Sequence, residues 1–365
     1  TLLLGVVVLG LMEILLPSAG GDTAQSPYIN HVYSPRFEVK NYRLTPEAEI
    51  LTVRQEYDRL AQSGHWQHSP WTGLTLRAFD GQFLTVGEDG FRVLPKPTGS
   101  GTDYVVWTFG GSTMFGWGMT DEMALPAQLQ NQLQRDHPQL RVIVRDFSSP
   151  SFTSAQELST FVAMLRKQPK PDAAVFLDGL NDLSHWWHLN TDAPLFGEVN
   201  LAWEAWVRRL TDRTRPWFSI NATFPPFRLF SKAARGSMDG SSLRTPSTTA
   251  AEEERIERAT AAYLFNTAVA EQAARVAGVD ALFFLQPLPR DRKKRHYQRF
   301  YEAALERSEV RSLKDLSDAL ADLPRDAPKT VETTGAHYSD IANRHLAETL
   351  SAILSDKMLS SLASR

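Results

Sequence analysis

The sequence predicts an α/β domain in which a parallel sheet is covered by helices on both faces. Three observations predict it. From residue 103 onward, apolar runs of strand length alternate with helical stretches. Turn-forming residues stand at the ends of these runs, and neither an internal repeat nor a heptad array points to another architecture. With 365 residues, 42% hydrophobic and 22% charged, the chain is able to bury a real core in one large or two modest domains.

The elements follow in order. Residues 2–16 are apolar except for Gly5, Gly10 and Glu13, and the run stops at Pro17. A spanning helix needs about 20 residues. The chain begins at Thr1 rather than Met, so residues 1–17 read as a single transmembrane anchor truncated at its start. No Lys or Arg precedes Arg36, which places the following chain on the outer side of the membrane. A cleaved signal peptide ending near Ser18-Ala19-Gly20 also exports the rest, and a buried core helix is a third reading. The expectation is a membrane-anchored protein with a periplasmic or extracellular domain.

Residues 18–100 form a linker and a small α/β extension. Thr45-Pro46-Glu47 reads as a helix start with a capping Thr, and the helix runs to about Gln62 with Ile50, Val53, Tyr57 and Leu60 on one face. Residues 65–95 are aromatic and carry Asp80-Gly81 and Asp89-Gly90 turns, a β-rich pattern. Residues 101–365 form the main domain. Strands are expected at 104–109, 140–147, 173–178 and 281–285, and helices at 121–135, 154–167 and 251–277. An insertion spans about 185–250, its Gly/Ser/Thr/Pro-rich part at 231–250 reading as a loop. Residues 288–330 are charged and helical in part.

Composition removes several function classes. Lys+Arg 39 against Asp+Glu 42 gives a net charge of −3, so no global field draws the chain to nucleic acid. Zero cysteines exclude disulfides, thiolate nucleophiles and cysteine-based zinc sites.

In a parallel sheet the ligand crevice lies beyond the carboxyl ends of the strands, and three motifs stand there. Gly110-Gly111-Ser112 follows the first core strand, where glycines permit a tight turn that exposes a hydroxyl. Its surroundings lack the Gly-x-Ser-x-Gly elbow, since Met114 takes the last glycine position. Gly179-Leu180-Asn181-Asp182 ends the third strand, and a side-chain amide there suits an oxyanion. His337, in Thr334-Gly335-Ala336-His337, precedes the last helix and reaches Ser112 if the final strand returns beside the first ones. Each motif alone is an ordinary turn or loop.

Taken in this order, and with Phe147–Gln156 as a further block, the motifs resemble the SGNH/GDSL hydrolases, in particular a single-pass membrane-anchored bacterial type. The resemblance covers residues 103–350 in outline and implies a flavodoxin-like three-layer α/β/α fold. It implies that Ser112 is the nucleophile and His337 its base. It also implies an oxyanion hole made by the amides of Ser112 and Ser148 and the side chain of Asn181, with no metal or organic cofactor. Three departures stand out. Gly111 replaces the family's Asp in the first block, and Ser148 and Ser151 replace glycines in the second. The family's Asp three residues before the histidine is Thr334, which leaves Glu332 or a backbone carbonyl to orient the imidazole.

His185-Trp186-Trp187-His188 and His65-x-x-His68 lack a third ligand, which reads against zinc. Trp186 and Trp187 read instead as an aromatic substrate rim, while Trp203, Trp206 and Val207 read as a packing face. The resulting expectation is an exported serine esterase or O-acyl (acetyl) transferase acting on an ester or O-acylated carbohydrate. The competing one is a degenerate domain that docks in a membrane protein complex, a role Glu13 in the apolar run suits.

Overall fold

The computed structural model describes residues 37–61, 65–69, 72–189, 248–288, 295–332 and 336–363. The anchor at 1–17 and most of the insertion, with Trp203, Trp206 and Val207, lie outside the described residues. Among the described residues no helix is long and apolar enough to cross a membrane.

Five strands make the central sheet: β5 (Thr102–Gly110), β6 (Leu140–Asp146), β7 (Ala173–Asp178), β8 (Asp280–Leu285) and β9 (Leu313–Asp315). All neighbours are parallel, in the order β6-β5-β7-β8-β9. Strand alternation divides the side chains between two layers. Tyr104, Val106, Val175, Leu177, Leu282 and Phe284 face α3 (Leu125–Asp136) and α8 (Asp340–Ala363). Trp107, Phe109, Ala174, Phe176 and Phe283 face α4 (Ser154–Lys167) and α6 (Thr249–Ala277). Phe109, Phe176 and Phe283 stack across three adjacent strands, with centroids 4.7 Å apart at each step. Both sheet faces are therefore apolar, which is why these strands read as continuous hydrophobic runs.

The fifth strand, β9, escaped sequence reading. It has three residues and a half-exposed, charged pattern (Leu-Lys-Asp), and only its pairing with β8 makes it a strand. The helix expected within 288–330 is α7 (Arg295–Arg307).

The extension holds a 3₁₀ turn at Val39–Asn41, helix α1 (Glu47–Leu60) and two antiparallel hairpins. These are β1 (Trp66–Ser69) with β2 (Gly73–Leu76), and β3 (Phe79–Asp80) with β4 (Thr85–Val86). Helix α1 buries Ile50, Val53, Tyr57 and Leu60 as their spacing required. The capping role expected of Thr45 is corrected. Pro46 is the N-cap and no side chain caps the helix. Thr45 instead donates its N–H and its hydroxyl to Asp340 at the start of α8.

Candidate active site

The nucleophile turn follows from glycine at three places. β5 ends at Gly110, Gly111 is extended, and Ser112–Phe115 forms a single helical turn, α2. Gly116 closes it in the left-handed region (φ 76), which lets Trp117 N–H bond back to Ser112 O at 2.9 Å. A Cβ on Gly111 would lie 2.2 Å from Asn181 Nδ2. The Asn181 amide thus fills the space that a side chain at this position would take. Four residues are too few for a substantial helix dipole. What remains is the Ser112 N–H itself, which as a first-turn donor has no intrahelical acceptor.

His337 comes to this turn on an irregular segment, not beside a strand paired with β5. Val331 N–H bonds to His337 O at 3.0 Å and Ser339 N–H to Lys329 O at 3.1 Å, with Thr330 and Tyr338 bridged antiparallel. This pairing sets Val331 opposite His337 and brings the neighbouring Glu332 to its side. The imidazole Nε2 lies 3.0 Å from Ser112 Oγ, and Nδ1 lies 2.7 Å from Glu332 Oε1. With a carboxylate at Nδ1, that nitrogen carries the proton and donates it, leaving Nε2 as acceptor toward the serine. Sequence left Glu332 and a backbone carbonyl as alternatives, and the geometry selects Glu332. Thr334 lies outside the described residues. The ring of Trp117 flanks the imidazole at a centroid distance of 6.3 Å.

The residues expected to line an oxyanion hole differ in what they bond. Asn181 lies against Gly111 in the nucleophile turn, and its Nδ2 donates to Phe152 O at 2.8 Å, which engages one of its two N–H bonds. Ser148 is corrected. Its amide donates to Asp146 Oδ1 at 3.1 Å and its hydroxyl contacts both carboxylate oxygens at 2.7 Å, with the whole residue buried. Asp146 ends β6 in the interior and must be satisfied locally, so it takes the nearest donors, including Thr108 Oγ1 at 2.9 Å. Burial pushes its carboxyl up to about 7, against the opposing pull of those bonds. Ser151, the other glycine replacement, is the single non-glycine residue with positive φ (67) among the described residues. The backbone there takes the glycine-like conformation in spite of the side chain.

Asp182 of the same block as Asn181 binds the start of α4. It accepts from Ser154 Oγ at 2.5 Å and from Ser154 N–H at 3.1 Å, which ties the 147–153 loop to the end of β7. Behind it Glu157 and Asp178 are also buried, and burial and the neighbouring acids raise both, Asp178 to about 8.

Trp186 and Trp187 do not form a substrate rim. They lie on α5 (Leu180–Leu189), 7% and 5% exposed, inside a cluster with Ile256, Tyr263, Tyr297 and Phe300. Trp187 stacks on His296 at 4.0 Å and Arg258 lies over Trp186. The helical spacing that puts both indoles between α6 and α7 was invisible without knowing which helices pack there. No group of three or more potential ligands for a metal occurs among the described residues.

Sequence reading also missed Arg92, Asp340 and Gln286. Gln286 Oε1 accepts from Thr113 Oγ1 at 3.3 Å, and its amide reaches Tyr338 Oη at 3.4 Å, linking the neighbours of Ser112 and His337. Arg92 and Gln286 stand in no motif, Asp340 follows His337 by three residues, and each acts on segments distant in sequence.

No family model matches the chain, and no curated protein matches it. Among solved structures it is similar to TesA, at 18% identity and a TM-score of 0.38, covering 67% of this chain and 94% of that one. It is also similar to the psychrotrophic esterase EstA from Pseudoalteromonas sp., at 14% and 0.37, covering 71% of this chain and 100% of that one. A third is AlinE4, described as an SGNH-hydrolase family esterase, at 16% and 0.33, covering 71% and 98%. All three likenesses are remote, with TM-scores below 0.5, and none assigns a residue or an activity to this chain.

Proposed function

We propose that the chain is a serine ester hydrolase or O-acyl transferase of the SGNH/GDSL type that works through an acyl-enzyme on Ser112. The observation that carries this reading is the relay of hydroxyl, imidazole and carboxylate, 3.0 Å and 2.7 Å apart, from three separate positions at the carboxyl end of the sheet. In the first step Ser112 Oγ attacks the ester carbonyl carbon while its proton passes to His337 Nε2. Glu332 stabilises the imidazolium that forms. The developing oxyanion is met by the Ser112 N–H and the second N–H of Asn181. His337 then gives its proton to the departing alkoxide, and the C–O bond of the substrate breaks. Water, or an acceptor hydroxyl in the transferase case, repeats the cycle on the acyl-enzyme. An ester or O-acylated carbohydrate is the substrate class we propose, and the apolar run at 2–16 with no cation before Arg36 supports an exported, membrane-anchored placement.

The engaged amide of Ser148 favours a second reading, a degenerate domain serving as a docking subunit. A fluorophosphonate probe separates the two. Labelling of the wild type but not of Ser112→Ala supports catalysis, and folded wild-type protein that takes no label supports the docking role.

A further inference from the structure

We infer that the extension, residues 37–95, is a working part of the catalytic site, with Arg92 and Asp340 as positioning residues that hold the nucleophile turn and the His337 segment in register. This rests on the serine-hydrolase reading above.

The nucleophile turn is one helical turn long: Trp117 N–H and Gly116 N–H close on Ser112 O and Thr113 O, and the helix goes no further to satisfy Phe115 O or the carbonyls after it. The extension supplies donors to these. Arg92 is buried and donates from Nη1 to Phe115 O at 2.6 Å and Gly116 O at 3.0 Å, and from Nη2 to Met119 O at 2.6 Å. Its Nε pairs with Asp121 at 2.8 Å. Tyr57 on α1 donates to Gly116 O at 2.9 Å and lies 3.0 Å from Met119 O, and Tyr42 donates to Gly118 O at 2.8 Å. A planar fork of five donors is the group that satisfies several carbonyls in fixed directions at once.

The base-bearing segment is held by the same extension. Asp340, three residues after His337 and fully buried, accepts the N–H groups of Arg43, Leu44 and Thr45 at 3.0, 2.7 and 2.8 Å. Glu38 N–H bonds to Val331 O at 2.9 Å, next to Glu332. Phe37 lies between the two catalytic segments: a Cβ on Gly118 would stand 2.9 Å from its ring and 3.1 Å from Val331. Trp117 touches both sides, with its ring 4.8 Å from Tyr57 and 6.3 Å from His337. Phe115, Trp117, Met119 and Val331 accordingly belong to the extension's hydrophobic core and not to either layer of the sheet. Ser112 and His337 stand 225 residues apart in sequence, and the extension binds the segments that carry both.

The test uses the full chain with Arg92→Lys, which keeps the charge and loses the fork, and Asp340→Asn, which keeps the shape and loses the anion. Leu133→Ala, in the core between α3 and α8 and outside the hydrophobic cluster the extension builds, serves as a comparator that costs stability. Each protein is assayed below its melting transition with p-nitrophenyl acetate and with the fluorophosphonate. Expected is a fall in kcat of about 100-fold for both positioning variants, with KM held within about threefold and Leu133→Ala keeping wild-type kcat. Should Arg92→Lys fail to fold, Asp340→Asn decides by the same criterion. Wild-type kcat in the folded variants, or an equal loss in Leu133→Ala, overturns the inference and leaves the hydrolase reading standing. A wild type that neither takes label nor turns over overturns the hydrolase reading, and this inference with it.

Discussion

Glu332→Gln removes the charge behind the imidazole while changing its shape little. In the wild type the carboxylate accepts from His337 Nδ1–H at 2.7 Å, which fixes the tautomer with a bare Nε2 toward Ser112. A glutamine amide that turns its NH₂ toward Nδ1 selects the other tautomer, with a proton on Nε2 and no acceptor for the serine. A carboxamide also gives no charge to balance the imidazolium. Loss of the equivalent carboxylate in the general Ser-His-Asp template costs about 10⁴ in kcat, roughly 5.5 kcal/mol of transition-state stabilisation. Here the side chains of His337 and Glu332 are 12% and 14% exposed, so some water reaches the pair and screens it. The expected loss is therefore about 10³ to 10⁴ in kcat. The measurement is stopped-flow acylation with p-nitrophenyl acetate, with the burst amplitude counting competent sites. Folding is checked separately by circular dichroism and thermal melting. A Glu332→Gln protein acylating within about threefold of wild type would refute the three-membered relay.

Gly111→Ala places a Cβ 2.2 Å from Asn181 Nδ2, so the amide must move. The expected loss is about 10² to 10³ in kcat. Asn181→Ala should lose a similar factor, and the double variant little more, because both remove one donor; full additivity of the two losses in kcat counts against a shared cause. Asp146 and Asp178 set a pH dependence of stability. Burial raises their folded-state values to about 7 and about 8 from 3.8, so the folded chain holds more protons than the unfolded one between those limits. Their contribution is fully present below the unfolded value and is lost as pH rises through 7 and then 8. At 1.36 kcal/mol per pH unit, Asp146 alone accounts for on the order of 4 kcal/mol at most. Urea midpoints should fall from pH 5 to pH 8, and Asp146→Asn should flatten the lower part of that slope. A midpoint that rises over this range contradicts the assignment.

The parts of this protein legible in sequence were those governed by neighbours in the chain. α4 and β7 occupy the residues that periodicity marked, because apolar spacing and the Thr153–Gln156 capping box are local signals. Ser112, Asn181 and His337 stand at element ends that turn chemistry announces, and the structure brings all three together. β9 was not legible, since a strand of three half-exposed residues exists only through β8.

What only the tertiary structure decided are the choices each polar group makes among distant partners. Ser148 turns its amide to Asp146 because a buried carboxylate at the end of β6 takes the nearest donors. Glu332 takes the orienting place because the short antiparallel pairing that joins Val331 to His337 brings its carboxylate to Nδ1. Trp186 and Trp187 become core because α6 and α7, over 60 and 100 residues further on, close over them. Thr45 leaves its cap for Asp340, and Arg92 finds its carbonyls on a turn beyond the first strand. Local propensity determines where an element begins and ends. Which buried donor meets which acceptor depends on the whole packing, since every unpaired group inside costs about 1–3 kcal/mol and the fold is chosen to leave few.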